Sequence, residues 1–166
     1  KKNIEAGRLS FSLDLERALK DTFVVFIAVN TPERRGSGEA DLAYVMEAAK
    51  NIANFAENNT LVITKSTVPL GTNRRVHSVI KKENPNLIFD IASNPEFLRE
   101  GSAIEDFQKP DRVIVGINNP SSKKVIQEIY KPLALKDYPI FFTSLESAET
   151  IKYSSNAFLA TKISFI

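Results

Sequence analysis

Five short apolar, β-branched runs punctuate the chain: Phe23–Val29, Leu61–Lys65, Leu87–Ala92, Arg112–Ile117 and Ile140–Thr143. Each is nearly continuous in hydrophobicity, the pattern of strands buried on both faces. Between the first two, Leu42, Val45, Met46, Ala49, Ile52, Ala53 and Ala56 recur at helical spacing. Val76, Val79 and Ile80 follow the second run, and Val125, Ile126, Ile129 and Tyr130 follow the fourth. Strands alternating with helices predict an α/β fold with a parallel sheet covered on both sides. From Ser144 the pattern changes. Thr143-x-x-Glu146 reads as a capping box, and Leu145, Ala148, Ile151, Phe158, Leu159 and Ile163 then form one helical stripe. That helix is still running at Ile166, and Lys1–Ser10 is polar with no strand of its own. The chain therefore reads as a sheet domain over 1–143 and the start of a long helix over 144–166, cut from something longer.

Composition narrows the classes. A length of 166 residues, 43% hydrophobic and 25% charged, suits one globular domain with a substantial core. The net charge of +2 gives no reason to expect nucleic acid or an anionic membrane as partner. No apolar run approaches the roughly 18 residues needed to span a bilayer. No secretory signal pattern opens the chain, so a cytoplasmic location is the default. With no Cys and one His, His77, these residues offer no disulfide, no thiolate nucleophile and no multi-histidine metal site.

The candidate chemistry gathers at strand ends, where open parallel sheets bind ligands. The first strand runs into Val29-Asn30-Thr31-Pro32, the second into Ser66-Thr67-Val68-Pro69, the third into Asn94–Gly101. Alone, each is ordinary turn chemistry; their convergence on one rim points to a polar ligand site. In the third, Asn94 can cap a helix, Pro95 fits its first position and Gly101 can end it. That predicts a helix of little more than one turn with Glu96 and Glu100 on one face, which reads either as part of a site or as a solvated capping turn with a few charges. In the last helix Lys152 and Asn156 share a face too. By spacing alone, Lys152 reads as a surface lysine laying its stem over Ala148 and Ile151. The alternative is a partly buried ammonium that stabilises oxygen charge. His77 and the cluster Arg74, Arg75, Lys81 and Lys82 read as a solvated helix face, and Glu33–Gly38 as a loop.

Taken in order, five segments are highly specific: Val-Asn-Thr-Pro (29–32), Lys-Ser-Thr-Val-Pro-Leu-Gly-Thr (65–72), Asn-Pro-Glu-Phe-Leu-Arg-Glu-Gly (94–101), Pro-Asp-Arg-Val-Ile-Val-Gly (110–116) and Ala-Glu-x-x-Lys-Tyr-x-x-Asn-Ala-Phe-Leu-Ala-x-Lys-Ile-Ser-Phe (148–165). Together they resemble the nucleotide-sugar dehydrogenases, the UDP-glucose branch more than the GDP-mannose branch. The resemblance implies a Rossmann-like NAD-binding domain followed by a central helix through which such enzymes dimerise. It implies oxidation of a UDP-sugar at its C6 alcohol, twice, to the carboxylate, with two NAD+. Val29, Asn30, Thr31, Pro32, Glu33, Ser66, Thr67, Val68 and Glu100 would then border the cofactor. Glu96, Phe97, Leu98, Arg99 and Glu100 would line the sugar, with Lys152, Tyr153, Ser154, Ser155 and Asn156 facing them. Glu96 would be the acid/base, Thr67 would help position a water, and Lys152 and Asn156 would hold the substrate oxygens.

Two departures limit this. The Gly-rich fingerprint for the pyrophosphate should precede Lys1, and the family's catalytic cysteine should follow Ile166; neither is among these residues. Two other readings remain open. β-Hydroxyacid dehydrogenases also carry a Lys-x-x-x-Asn pair after a Rossmann domain, though Asn-Pro-Glu-Phe-Leu argues against them. A non-catalytic remnant would fold without turnover.

Overall fold

A computed structural model describes residues 1–166. Helices α1 (Lys2–Glu5) and α2 (Leu15–Leu19) precede strand β1 (Val24–Ile27). Then come α3 (Ala43–Phe55), β2 (Thr60–Thr64), α4 (Thr72–Glu83), β3 (Phe89–Ser93), α5 (Ala103–Gln108) and β4 (Val113–Ile117). Helices α6 (Ser122–Ile129) and α7 (Lys131–Ala134), strand β5 (Ile140–Thr143) and α8 (Leu145–Phe165) complete the chain. All five expected strands are present. The sheet they form has the order β1-β2-β3-β4-β5.

The expectation of a wholly parallel sheet fails at one ladder. β1, β2 and β3 are parallel and β4 is parallel to β5, but β4 runs antiparallel to β3, pairing Ala92 with Ile117 and Ser93 with Gly116. The reason lies in the connection. A parallel return needs a helix long enough to run back along the sheet face and apolar enough to stay there. Between β3 and β4 there is only α5, whose 6 residues include none that is buried. At 1.5 Å per residue it spans about 9 Å, too little to carry the chain back past a five-residue strand. The chain turns at the strand end instead and re-enters the sheet from the same edge.

The core is split by the sheet. On one face, Val45, Ala49 and Ile52 of α3 and Val76 and Ile80 of α4 pack with Ile27, Val62 and Ile91. On the other, Ile126, Tyr130 and Leu133 cover Leu61, Ile63, Ala92, Val113 and Val115. His77, expected in solvent, is half-buried, its ring tilted against that of Phe89 with centroids 5.0 Å apart, and burial pushes its pKa down.

Helix α8 lies across β4. Its cap is Ser144, whose hydroxyl accepts from the Ser147 N–H at 3.1 Å, one residue later than the expected Thr143. Its buried residues are Leu145, Ala148, Glu149 and Lys152, so the expected apolar stripe holds only for its first two members. Phe158, Leu159 and Ile163 are exposed.

The crossing depends on Gly116. A Cβ there would lie 2.5 Å from the Ser144 carbonyl oxygen, 2.8 Å from Leu145 Cα and 2.9 Å from Ala148 Cβ. Two of those three atoms are backbone, so the helix itself would have to move. Gly116→Ala is expected to destabilise the protein by about 1–3 kcal/mol, the usual cost of overpacking. An unchanged urea midpoint in the variant would show that α8 is not seated this tightly.

Candidate active site

The reversal at β4 assembles the site. It brings the start of β4, Pro110–Arg112, to the same edge as the ends of β2 and β3, with Ser66–Val68 and Asn94–Arg99.

The expected one-turn helix over Asn94–Gly101 is absent; the segment is an irregular loop ending in a turn. Its side chains are spent elsewhere. Asn94 is 1% exposed and faces inward, donating through Nδ2 to the Ile114 carbonyl at 2.9 Å and accepting from the Tyr130 hydroxyl. It is not free to cap a helix. The Glu96 carboxylate accepts from the Leu98 N–H two residues on, a local bond that competes with helix formation. The Arg99 N–H donates to Asp106 at 2.8 Å, and the Arg99 guanidinium forks onto the same carboxylate. Those bonds with Arg99 hold the Asp106 carboxyl below its ordinary pKa.

Glu96 and Glu100 therefore do not share a face. Glu100 is exposed, while Glu96 turns toward α8, its Oε1 lying 3.1 Å from Lys152 Nζ. Lys152 is 6% exposed, so the surface-lysine expectation is overturned. The expected stripe put the buried face of α8 on Ile151; it runs through Leu145, Ala148, Glu149 and Lys152, spaced i, i+3, i+4 and i+7. The Phe97 ring is flanked by two cations, Lys152 Nζ and Arg112 Cζ, each 5.1 Å from its centroid. A desolvated ammonium in this position gains from both the carboxylate and the ring face.

Of the other expected residues of α8, Ser155 is half-buried, whereas Tyr153, Ser154 and Asn156 are exposed, and no hydrogen bond joins Asn156 to Glu96 or Lys152. Leu98 is exposed as well. Along the strand ends, the Ser66 hydroxyl donates to the Val29 carbonyl at 2.6 Å, and the Thr31 hydroxyl to the Thr67 carbonyl at 2.9 Å. These bonds lock the two loops together beside an apolar crevice lined by Val25, Val29, Asn30, Thr31, Pro32 and Ile52. Val68 is buried, Thr67 half-buried, and Glu33 exposed, bridged to Ala40.

Three further groups belong to the site that spacing did not single out. Glu149, 2% exposed, accepts from the N–H of Gly71 at 2.7 Å, the N–H of Asn73 at 2.8 Å and Asn73 Nδ2 at 2.7 Å. A buried carboxylate thus satisfies the first N–H groups of α4, where the helix dipole favours it. It ties the helix carrying Lys152 to the loop carrying Thr67. Tyr130 anchors Asn94 and its burial pushes the phenol up to about 12. Lys65, one step past the inward-facing Leu61 and Ile63, has its pKa lowered to about 8 by burial, with Glu96 opposing and Lys152 reinforcing the shift. The readable signals were a charge at a period-2 inward position and a glutamate on the helical core stripe.

NAD+ fits these residues in part. The locked strand-end loops and the apolar crevice supply a wall. The pyrophosphate has no obvious anchor among them, because the N–H groups that open α4 are taken by Glu149.

Residues 1–134 match the NAD binding domain of the UDP-glucose/GDP-mannose dehydrogenase family. The UDP-glucose 6-dehydrogenase of Rhizobium meliloti (strain 1021) is 50% identical over 166 residues, covering 99% of this chain and 38% of that protein. A UDP-glucose dehydrogenase structure from Pyrobaculum islandicum superposes with a TM-score of 0.89 at 43% identity, over 99% of this chain and 38% of that one. A GDP-mannose dehydrogenase structure from Pseudomonas aeruginosa gives 0.90 at 33% identity, again over 99% and 38%. The chain thus spans about 38% of the length of the relatives it matches.

The Glu149 clamp generates a test. Glu149→Ala leaves two buried donors of Asn73 and one part-buried donor of Gly71 unsatisfied, and each buried one costs about 1–3 kcal/mol. Glu149→Gln keeps the shape but turns an N–H2 toward N–H donors, so it should recover less than half of the loss. Both variants should unfold at lower urea than the parent. A Glu149→Gln protein as stable as the parent would show that the charge on the carboxylate is irrelevant to the clamp.

Proposed function

Because the chain belongs to the UDP-glucose/GDP-mannose dehydrogenase family, we propose that it is the NAD-binding domain and first substrate-helix turns of a UDP-glucose 6-dehydrogenase. The intact enzyme oxidises the C6 alcohol of UDP-glucose in two steps to UDP-glucuronate. NAD+ supplies the hydride acceptor. The single observation carrying this reading is the Lys152–Glu96 pair, 3.1 Å apart and largely desolvated at the strand-end edge. The identity to UDP-glucose dehydrogenases, 50% and 43%, against 33% to the GDP-mannose enzyme, supports the sugar nucleotide named.

In this reading a sugar hydroxyl approaches Lys152 and Glu96 together from the open side of the pair. Lys152 stabilises the negative charge that develops on oxygen as the proton leaves, an interaction strongest in the transition state. Glu96 handles the proton, being held by Lys152 within reach of the same oxygen. Thr67 helps orient the water added before the second oxidation, and Asn156 orients the substrate oxygen from the next turn of α8. Phe97, Leu98, Arg99 and Tyr153–Ser155 line the sugar. Val29–Glu33, Ser66 and Val68 border the cofactor, and Glu100, at the outer end of its loop, touches it. The family reading carries a homodimer as well, which the exposed Phe158, Leu159 and Ile163 on α8 support. A cytoplasmic site goes with it; no helix is long and apolar enough to cross a membrane.

The decisive assay is NADH formation by the full-length protein with UDP-glucose, at two NADH per UDP-glucuronate. Absence of NADH would sink the reading. In that protein Lys152→Ala should lower kcat by about a hundredfold or more with little rise in KM. Glu96→Gln should impair chemistry and flatten its pH dependence, with Glu100→Gln milder. Turnover within about twofold of the parent in Lys152→Ala would leave the pair as scaffold.

A further inference from the structure

We propose that Lys65 and Arg112 form an oxyanion subsite, taking a carboxylate or phosphate group in the cavity between the Asn94–Arg99 loop and the start of β4. The cavity holds about 330 Å³, and its walls include Lys65, Glu96, Phe97, Phe107, Arg112 and Leu133. Its charged lining is mostly committed. Arg99 is paired with Asp106 at 2.7 Å, Lys109 with Glu105 at 3.2 Å, and Glu96 with Lys152 at 3.1 Å. Lys65 and Arg112 have no carboxylate within ion-pair distance, and Asp111 is the one lining carboxylate without a cation. Two free cations against one free anion leave the cavity net positive.

Each cation is placed for a ligand. Lys65 is half-buried among Phe107, Tyr130 and Leu133, where an unpaired ammonium is costly unless something anionic completes it. Arg112 is exposed, with Cζ 5.1 Å from the centroid of the Phe97 ring, and its guanidinium makes no ion pair, so its N–H groups are free to fork onto two oxygens. The neighbouring neutral donors are used up, since Tyr130 donates to Asn94 and Asn94 to Ile114.

This deepens the proposed function, which supplies both kinds of oxyanion: the carboxylate that the reaction forms and the phosphates that the substrate carries. Binding of a plain anion needs no turnover, so failure here is distinguishable from failure of the dehydrogenase reading.

The charge on Lys65 also gives the subsite a pH dependence. Glu96 faces Lys65 from the loop after β3, Lys152 from α8, and Tyr130 from the end of α6, with Lys136 lining the adjoining cavity. Lys65 loses its proton near 8, while the unfolded chain holds that proton to an ordinary 10.5. Its buried charge therefore costs stability below about 8, and the cost disappears as pH rises from 8 to 10.5. Lys65→Met should then be at least as stable as the parent near neutral pH, although it removes an anion contact.

The experiment is calorimetric titration of the full-length protein with inorganic sulfate, whose own charge is constant across this range. Lys65→Met and Arg112→Gln should each weaken sulfate binding about tenfold or more, the loss of one charge-assisted contact. Parent affinity should fall as pH rises through about 8 and that of Lys65→Met should not. Displacement of sulfate by glucuronate points to the carboxylate, and displacement by uridine diphosphate to the phosphate. Displacement by neither, unchanged sulfate affinity in both variants, or a Lys65→Met protein less stable than the parent would overturn the proposal.

Discussion

Helix α8 can lie where it does only because Gly116 carries no side chain, so that the Ser144 carbonyl and Leu145 Cα sit where a Cβ would be. That approach sets both the distance and the register of the helix on β4. From Ser144 to Lys152 the helix climbs about 12 Å at 1.5 Å per residue. From Gly116 back to Arg112 the strand covers about 13 Å at 3.3 Å per residue. The two climbs match, which delivers Lys152 to the edge occupied by Arg112, Phe97 and Glu96.

The match works in only one sense of β4. Had β4 run parallel to β3, β5 and the start of α8 would have exchanged edges, and Lys152 would have descended away from Glu96. The reversal follows from a short, unburied α5 between two strands, a local deficiency with a consequence at the far end of the chain. Once α8 is seated, its inward face includes two charges, and each needs a partner. Glu149 finds the N–H groups opening α4, and Lys152 finds Glu96 and the Phe97 ring. Buried ions so arranged are weak contributors to net stability but exacting about geometry. They make the positions of the Thr67 loop, the Glu96 loop and α8 mutually dependent.

Lys65 stands apart from this pattern. It is the half-buried ammonium at the edge that the fold does not pair, and its lowered pKa records the cost. Glu96 offsets that cost only in part, and desolvation of this kind beside a cavity is shared with groups that receive a ligand.

Much of this was legible in the chain itself. Continuous β-branched runs could bury only as strands, the 3.6-residue periodicities of α3, α4 and α6 could bury only as helices on the sheet, and the ordered polar motifs already named the loops and the family. The capping signals of Asn94–Gly101 point to a helix that does not form, because such signals are local, whereas Asn94 is claimed by Ile114 and Tyr130 from distant parts of the chain. Hydrophobic periodicity likewise turned α8 toward Ile151, since a sequence scale counts lysine and glutamate as outward residues. Only the tertiary structure, through the direction of β4 and the close approach at Gly116, decided that Glu149 and Lys152 face inward. Strand direction and inter-element distance depend on contacts between residues far apart in sequence, and no local pattern encodes them.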